Sequence, residues 1–238
     1  MESLGNRIKK NYELPATYRL TRRIPVIIRL DGQAFHTLGR EMTQPFDDAF
    51  HGNMTISAMD SAINMQGFKL AYVQSDEVSF LLTDYSTLET AAWFDYTKSK
   101  LESITASRMT AYFNARADYS RFGCFDARAF AIPREEVVNY FLWRAKDWER
   151  NSLHMYCRSI FPHGAMHRKP AHEQHEMLHA VGKNWAKDLT DWQKNGTFIT
   201  KEFNMIDGVT PSYRVLADMI DPLIDVAADA TILGDTLE

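Results

Sequence analysis

The 238-residue chain has only two cysteines, Cys124 and Cys157, too few for a disulfide scaffold and not spaced as a CxxC metal site. A reducing compartment fits that usage, and both are expected in the core. No run of about eighteen apolar residues occurs, and the opening MESLGNRIKKNYELP is too polar for a signal peptide. Neither a membrane span nor secretion is supported, and a cytoplasmic location is expected. Eleven glycines and eight prolines form no repeat, linker or low-complexity tract, which excludes collagen-like and disordered classes. Net positive charge is also lacking: the formal balance of −4 argues at first sight against a nucleic-acid partner.

The distribution of charge reverses that argument. Residues 1–30 hold seven Lys/Arg against Glu2 and Glu13, whereas residues 201–238 hold eight Asp/Glu against Lys201 and Arg214. Without the acidic end, the first 200 residues are mildly basic. A hydrophobic share of 45% is ample for one good-sized core.

Periodicity gives the order of elements. Ile24–Leu30 is a short β-branched run that stops at Asp31-Gly32, a buried strand ending in a turn. Phe46, Phe50, Met54, Ala58 and Ala62 recur every four residues between Pro45 and Gly67, which predicts a helix stopped by the glycine. Phe68–Val73 and Val78–Thr83 read as strands of a hairpin joined through Gln74-Ser75-Asp76-Glu77. Ser86–Glu89 has capping-box spacing and is expected to open a helix reaching about Arg116. Gly123–Ile132 reads as a strand, and Pro133 starts a helix to about Tyr156. The resulting β-α-β-β-α-β order predicts an α+β, ferredoxin-like fold, an antiparallel sheet with two helices on one face. Three units are expected: a catalytic domain with a basic N-terminal segment over 1–132, a mainly helical C-terminal half over 133–201, and an acidic tail over 202–238. In the tail, Val215, Leu216, Met219, Ile220, Leu223, Ile224 and Ala227 predict a helical stripe that docks on the body or on a neighbouring subunit.

In that fold the first and third strands are neighbours, so Asp31 converges with Asp76 and Glu77 at one end of the sheet. Converging carboxylates suit Mg²⁺, which takes oxygen ligands and shares itself with substrate phosphates. Two such ions would serve a nucleotidyl transfer. Either aspartate alone is equally readable as a turn residue; their joint placement favours the metal. Gly32 permits close backbone approach and offers its carbonyl to a metal. Phe35 and His36 are candidates to pack on or hydrogen-bond a base, and Ser75 to donate to a phosphate. No Ser/His/Asp or Cys/His set stands out, and phosphoryl chemistry needs none.

These residues lie in segments that carry a resemblance: PVIIRLDGQAFH (Pro25–His36), PFDDAF (Pro45–Phe50), AYVQSDEVSFLL (Ala71–Leu82), SKLESITAS (Ser99–Ser107), FDARAF (Phe125–Phe130) and YFLWRAKDWERNSL (Tyr140–Leu153). Together they resemble the tRNA(His) guanylyltransferases and the related guanylyltransferase-like 3′–5′ polymerases, over roughly residues 5 to 200. The resemblance implies a polymerase-type palm domain that extends tRNA at its 5′ end, using ATP or GTP to activate the 5′-phosphate. It implies two Mg²⁺ held by Asp31, the Gly32 carbonyl and Asp76, with Glu77 as a further family acid of catalytic or supporting role. It implies nucleotide binding by Asp31, Gly32, Gln33, Ala34, Phe35, His36, Ser75, Asp76 and Lys100, and assembly into a homodimer or homotetramer. Arg22 and Arg23, with Arg29, are the candidates for the RNA 5′-phosphate.

Two departures bear on the substrate. Gln44-Pro45 stands where the family often has Lys-Pro, a lost charge that Arg40 or Arg22-Arg23 would replace. Glu149-Arg150-Asn151-Ser152 stands where eukaryotic enzymes that read the histidine anticodon carry His-x-Asn-Asn. Repair of 5′-truncated tRNA is therefore favoured over an enzyme dedicated to tRNA(His). Rival readings are a cyclase or oligonucleotide synthase on the same kind of palm, and a catalytically silent RNA-binding protein. His154, His163, His167, His172, His175 and His179 are expected on a surface or RNA-facing helix rather than around a metal. Trp143, Trp148, Trp185 and Trp192 are expected in packing, with one available to stack on a nucleotide.

Overall fold

The computed structural model describes residues 2–87, 89–116 and 119–225, apart from the side chain of His36. Its strands are β1 (Val26–Gln33), β2 (Phe68–Gln74), β3 (Glu77–Leu82), β4 (Cys124–Ala131), β5 (Thr197–Thr200) and β6 (Met205–Asp207). The helices are α1 (Leu4–Ile8), α2 (Phe35–Leu38), α3 (Asp48–Ala62), α4 (Lys98–Arg116), α5 (Arg134–Ile160), α6 (His163–Met166), α7 (Ala171–Ala180), α8 (Trp185–Asp188), α9 (Asp191–Asn195) and α10 (Tyr213–Ile224). One six-stranded sheet runs β4-β1-β3-β2-β5-β6, with every pairing antiparallel.

Alternation along the strands divides the core. Val26, Ile28 and Leu30 of β1 meet Val78, Phe80 and Leu82 of β3 under α3 and α4, where Met54, Ala58, Leu101, Met109 and Phe113 close the layer. Ile27 and Leu81 face the other way with Leu70 and Tyr72, and α5 and α10 cover them through Val138, Phe141, Leu216 and Ile220. The expected helical stripe of the tail thus docks on the body through Leu216, Ile220 and Ile224; Val215 is exposed, and Ala227 lies outside the described residues.

Local chemistry sets the ends of the elements. The Asp47 carboxylate caps α3 by accepting from the Phe50 amide at 2.8 Å. Gly67 sits at φ 80°, and a Cβ there would lie 2.1 Å from the Thr83 carbonyl oxygen, so only glycine fits between the helix and the hairpin.

Three expectations are corrected. Residues Ser86–Glu89 open no helix; α4 begins at Lys98, after a short turn at Trp93–Tyr96, because the loop before it is held by other contacts: Arg22 and Arg23 bond the Thr90 and Thr87 carbonyls. Strands β5 and β6 extend the sheet within stretches read as helical, since four- and three-residue strands are too short to show alternation. Cys157 is buried, its thiol pushed up to about 11 by burial, but Cys124 is exposed at the start of an edge strand.

Candidate active site

Antiparallel register brings the acids together. Asp31, near the end of β1, pairs with Glu77 of β3 on one side and Asp126 of β4 on the other. Ser75 and Asp76 form the two-residue turn between β2 and β3, with Ser75 at φ 47° in the left-handed region. The Gly32 amide donates to the Asp76 carbonyl at 3.1 Å, tying the end of β1 to the turn. A Cβ on Gly32 would lie 2.4 Å from Cδ2 of Phe35, so the absence of a side chain lets the Phe35 ring fold back over the strand end.

Asp31 and Asp76 form ion pairs with none of the described residues. Burial pushes the Asp76 carboxyl up to about 6; its own backbone amide and the Ser75 hydroxyl oppose the rise, and the charges of Asp31 and Glu77 add to it. Two carboxylates that line one cavity with neither held in an ion pair are well suited to a divalent cation. Glu77 is differently placed. It is buried, and its Oε1 and Oε2 accept from Nε and Nη2 of Arg144, each at 2.7 Å, while Gln74 donates to Oε1 at 3.1 Å. Burial raises the Glu77 carboxyl, and the guanidinium works against the rise. Among the described residues no group of three or more His, Cys, Asp or Glu is arranged to hold a metal. The donor set that fits Mg²⁺ is therefore the Asp31 and Asp76 pair with backbone oxygen, completed by substrate phosphates.

Two cavities meet at the Ser75-Asp76 turn. One of about 300 Å³ is lined by Asp31, Asp76, Glu77, Arg144, Asn151 and His154. The other, of about 210 Å³, is largely aromatic, with Phe46, Phe50, Trp148 and Trp192 around Gln44, Asp47 and His51. His51 stacks on Trp192 with centroids 4.0 Å apart and bonds the Thr197 hydroxyl at 2.9 Å. A larger cavity, about 820 Å³, lies at the opposite end of the sheet beside Pro25, Tyr85 and Ile132, away from the carboxylates.

Several expected site residues stand elsewhere. The Phe35 ring is largely buried against Phe50, Phe113 and Phe125 and lines the aromatic cavity from that side. Gln33 and Ala34 are exposed beside the carboxylates, Ala34 at φ 57°; the His36 side chain lies outside the description. Arg22 and Arg23 sit before the start of β1, roughly 17 Å of strand away from Asp31, and are engaged there: Arg22 Nε donates to the fully buried Asp84 carboxylate, and the Arg23 amide donates to its other oxygen at 2.9 Å. Lys100 belongs to the same far end, next to the Arg19–Thr97 bridge, its ammonium over the Phe94 ring. These three are not brought to the carboxylates. Arg29 is: it lies two residues before Asp31 on the same face. Arg40 is exposed, while the Gln44 amide bonds the Gly39 carbonyl within its own loop. Trp148 and Trp185 donate to the Trp192 carbonyl and the Ser152 hydroxyl, as packing requires, whereas Trp143 is 54% exposed.

Sequence reading missed Arg144, Asp126 and Arg128. The alternation of FDARAF puts Asp126 and Arg128 on one face, but which face depends on a register that only long-range pairing sets.

Residues 6–133 match the family described as Thg1, tRNA(His) guanylyltransferase. A bacterial tRNA(His) guanylyltransferase (Thg1)-like protein in complex with ATP is 34% identical, with a TM-score of 0.83, covering 93% of this chain and 98% of that one. A structure of such a bacterial protein in complex with GTP is 33% identical, with a TM-score of 0.79, covering 94% and 100%. The probable tRNA(His) guanylyltransferase of Dictyostelium discoideum is 29% identical over 160 residues, 62% of this chain and 59% of its own length, so the match spans less than two thirds of that relative. The chain belongs to the tRNA(His) guanylyltransferase family and is a nucleotidyltransferase.

Proposed function

We propose that the chain is a palm-type enzyme that adds nucleotides to the 5′ end of tRNA in the 3′–5′ direction, and that its work is the template-dependent repair of 5′-truncated tRNA. The observation that carries this reading is the Asp31 and Asp76 pair at the sheet end, neither held in an ion pair, beside two cavities that meet at the Ser75-Asp76 turn. The likeness over nearly the whole chain to bacterial proteins solved with ATP and with GTP supports nucleotide use.

In this reading an oxygen of the RNA 5′-monophosphate first bonds to the α-phosphorus of ATP, or GTP, and pyrophosphate leaves. The 3′-oxygen of the incoming nucleotide then forms a bond to the 5′-phosphorus, the bond to the leaving AMP, or GMP, breaks, and the 3′-hydroxyl proton goes to solvent. When the RNA begins with a triphosphate, pyrophosphate leaves instead. Asp31, the Gly32 carbonyl and Asp76 would hold Mg²⁺, which would supply charge neutralisation to the phosphates. Ser75 and the backbone of Gln33 and Ala34 border the triphosphate, and the aromatic cavity behind the turn takes the base, with Asp47 and Gln44 as polar partners. Glu77 fixes the start of β3 by way of Arg144 and touches no substrate.

Repair is favoured over a function dedicated to tRNA(His) because Ser152 is buried under Trp185 and Arg150 pairs with Asp147, leaving the Glu149–Ser152 stretch on α5 without the His-x-Asn-Asn groups. The test offers the chain 5′-monophosphorylated tRNAs of several identities, each lacking its first nucleotide, beside full-length tRNA(His). Extension of the truncated RNAs with the base their 3′ strand encodes is expected. Exclusive use of full-length tRNA(His) overturns the repair reading.

A further inference from the structure

The face of the sheet that carries Asp31 holds a second row of charge. Side chains two apart on a strand share a face, so Arg29 lies beside Asp31 on β1, and Arg128 beside Asp126 on β4. Arg29 and Arg128 are themselves directly opposed across the β1–β4 ladder. Like charges in that relation destabilise a sheet unless something negative lies with them. Neither is well supplied. Arg128 has only Asp126, at 3.8 Å and largely exposed; Asp31, beside Arg29, forms no ion pair with it, and Glu77 is already held at both oxygens by Arg144. The Nε of Arg29 is buried with no hydrogen-bond partner among the described residues.

An aromatic ring stands next to this row. Tyr140 of α5 bonds the Ser79 hydroxyl at 2.8 Å and packs on Phe130. Trp143, one turn further along, therefore projects over the neighbouring part of the sheet, packed against Tyr140 with centroids 6.0 Å apart. The Arg29 and Arg144 guanidinium groups lie 5.8 and 4.4 Å from its ring centroid, yet 54% of the residue remains exposed. An open indole backed by cations is the arrangement on which single-stranded bases stack.

We infer that Arg128 and Trp143 complete, with Arg29, the site for the phosphorylated 5′ end of the RNA: the two opposed arginines hold the terminal phosphate, and Trp143 stacks on the terminal base. This rests on the proposed 5′-end chemistry and names the residues that present its substrate. Position favours the RNA end over the free nucleotide. The cavities at the Ser75-Asp76 turn lie on one side of Asp31, while the Arg29 and Arg128 row lies along the sheet on the other, on an open surface that a duplex end reaches, one cross-strand row from the carboxylates. Arg22 and Arg23 occupy the far end of the sheet and have no part in it.

The experiment measures binding of the full chain to one 5′-truncated tRNA prepared with a 5′-monophosphate and with a 5′-hydroxyl, at fixed salt. The wild-type chain is expected to prefer the phosphorylated RNA. Arg128→Ala weakens that RNA about tenfold or more, since a charge-assisted contact is lost, leaves the hydroxyl RNA unchanged, and melts no lower than the wild type because a like-charge repulsion has gone. Arg128→Lys restores part of the preference. Trp143→Ala weakens both RNAs alike, about fivefold or more, and Trp143→Phe recovers them. A wild-type chain indifferent to the 5′-phosphate, or an Arg128→Ala chain that keeps the preference or weakens both RNAs equally, overturns the inference. Extension of the same RNA separates the two claims: no extension by a wild-type chain that discriminates the phosphate strikes the enzymatic reading, whereas extension with discrimination intact in Arg128→Ala strikes only the inference.

Discussion

The carboxylate of Glu77 and the guanidinium of Arg144 form a buried two-point pair, with both N–O distances 2.7 Å, across the gap between β3 and α5. That pair separates three sequence-adjacent or paired acids into different roles. Removing one partner of a buried pair strands the other, at a cost of about 3–5 kcal/mol. Glu77→Ala and Arg144→Ala should each lose stability on that scale in urea unfolding. The double variant should lose clearly less than the sum, because neither charge is then left alone. Additive losses would mean that the two do not depend on each other.

Asp76 behaves in the opposite way. Its carboxyl is raised to about 6 from 3.8, so the folded chain holds the proton more tightly than the unfolded chain does. The resulting stabilisation is full below the unfolded value and is lost as pH rises through about 6. Asp76→Asn removes the charge responsible. In chelator, this variant should melt above the wild type at pH 7.5 and no longer exceed it at pH 4, while nucleotide addition is abolished. A variant that melts lower at pH 7.5 would show that the carboxylate is structurally needed rather than held for a cation.

His51 supplies a second pH dependence with the other sign. Burial lowers its imidazole to about 4, against the pull of Asp207 and Asp48. The folded chain binds this proton less readily than the unfolded one, so its contribution is full above about 6.5 and lost as pH falls through about 4. His51→Gln gives up the stack on Trp192, worth about 0.5–1.5 kcal/mol. The wild-type advantage in urea midpoint should be present at pH 7 and shrink towards pH 4. An advantage that grows on acidification would contradict the assignment.

Gly32 tests the strand end itself. With a Cβ due 2.4 Å from the Phe35 ring, Gly32→Ala must displace that ring from its aromatic cluster, an overpacking cost of about 1–3 kcal/mol. Shortening the neighbour in Gly32→Ala/Phe35→Leu should cost less than the two single losses together. A fully additive double variant would place the strain elsewhere.

How much of this was legible in the sequence follows the range of the interactions. The four-residue recurrence, the hairpin at Ser75-Asp76 and the stripe from Leu216 to Ile224 are local patterns that fold nearly as read, although the helix runs only over Asp48–Ala62, with Phe46 before it and its end short of Gly67. The convergence of Asp31 with Asp76 followed once the strand order was inferred. What stayed hidden was decided at a distance. Arg22 looked like a free cation because its partner, Asp84, lies 62 residues away. Glu77 read as an acid of open role, catalytic or supporting, because Arg144 lies 67 residues away. Ser86–Glu89 had the letters of a cap, but carbonyls of the same loop are bound by arginines that precede β1.

The central claim is tested most directly by 5′ extension. A 5′-monophosphorylated, 5′-truncated tRNA is incubated with ATP, labelled GTP and Mg²⁺, with a cytosine opposite the missing position, beside Asp31→Ala and Asp76→Ala chains shown to be folded. Label at the 5′ end with the native chain, and none with either variant, is the predicted result. No extension by the native chain, or equal extension by the variants, would contradict the account.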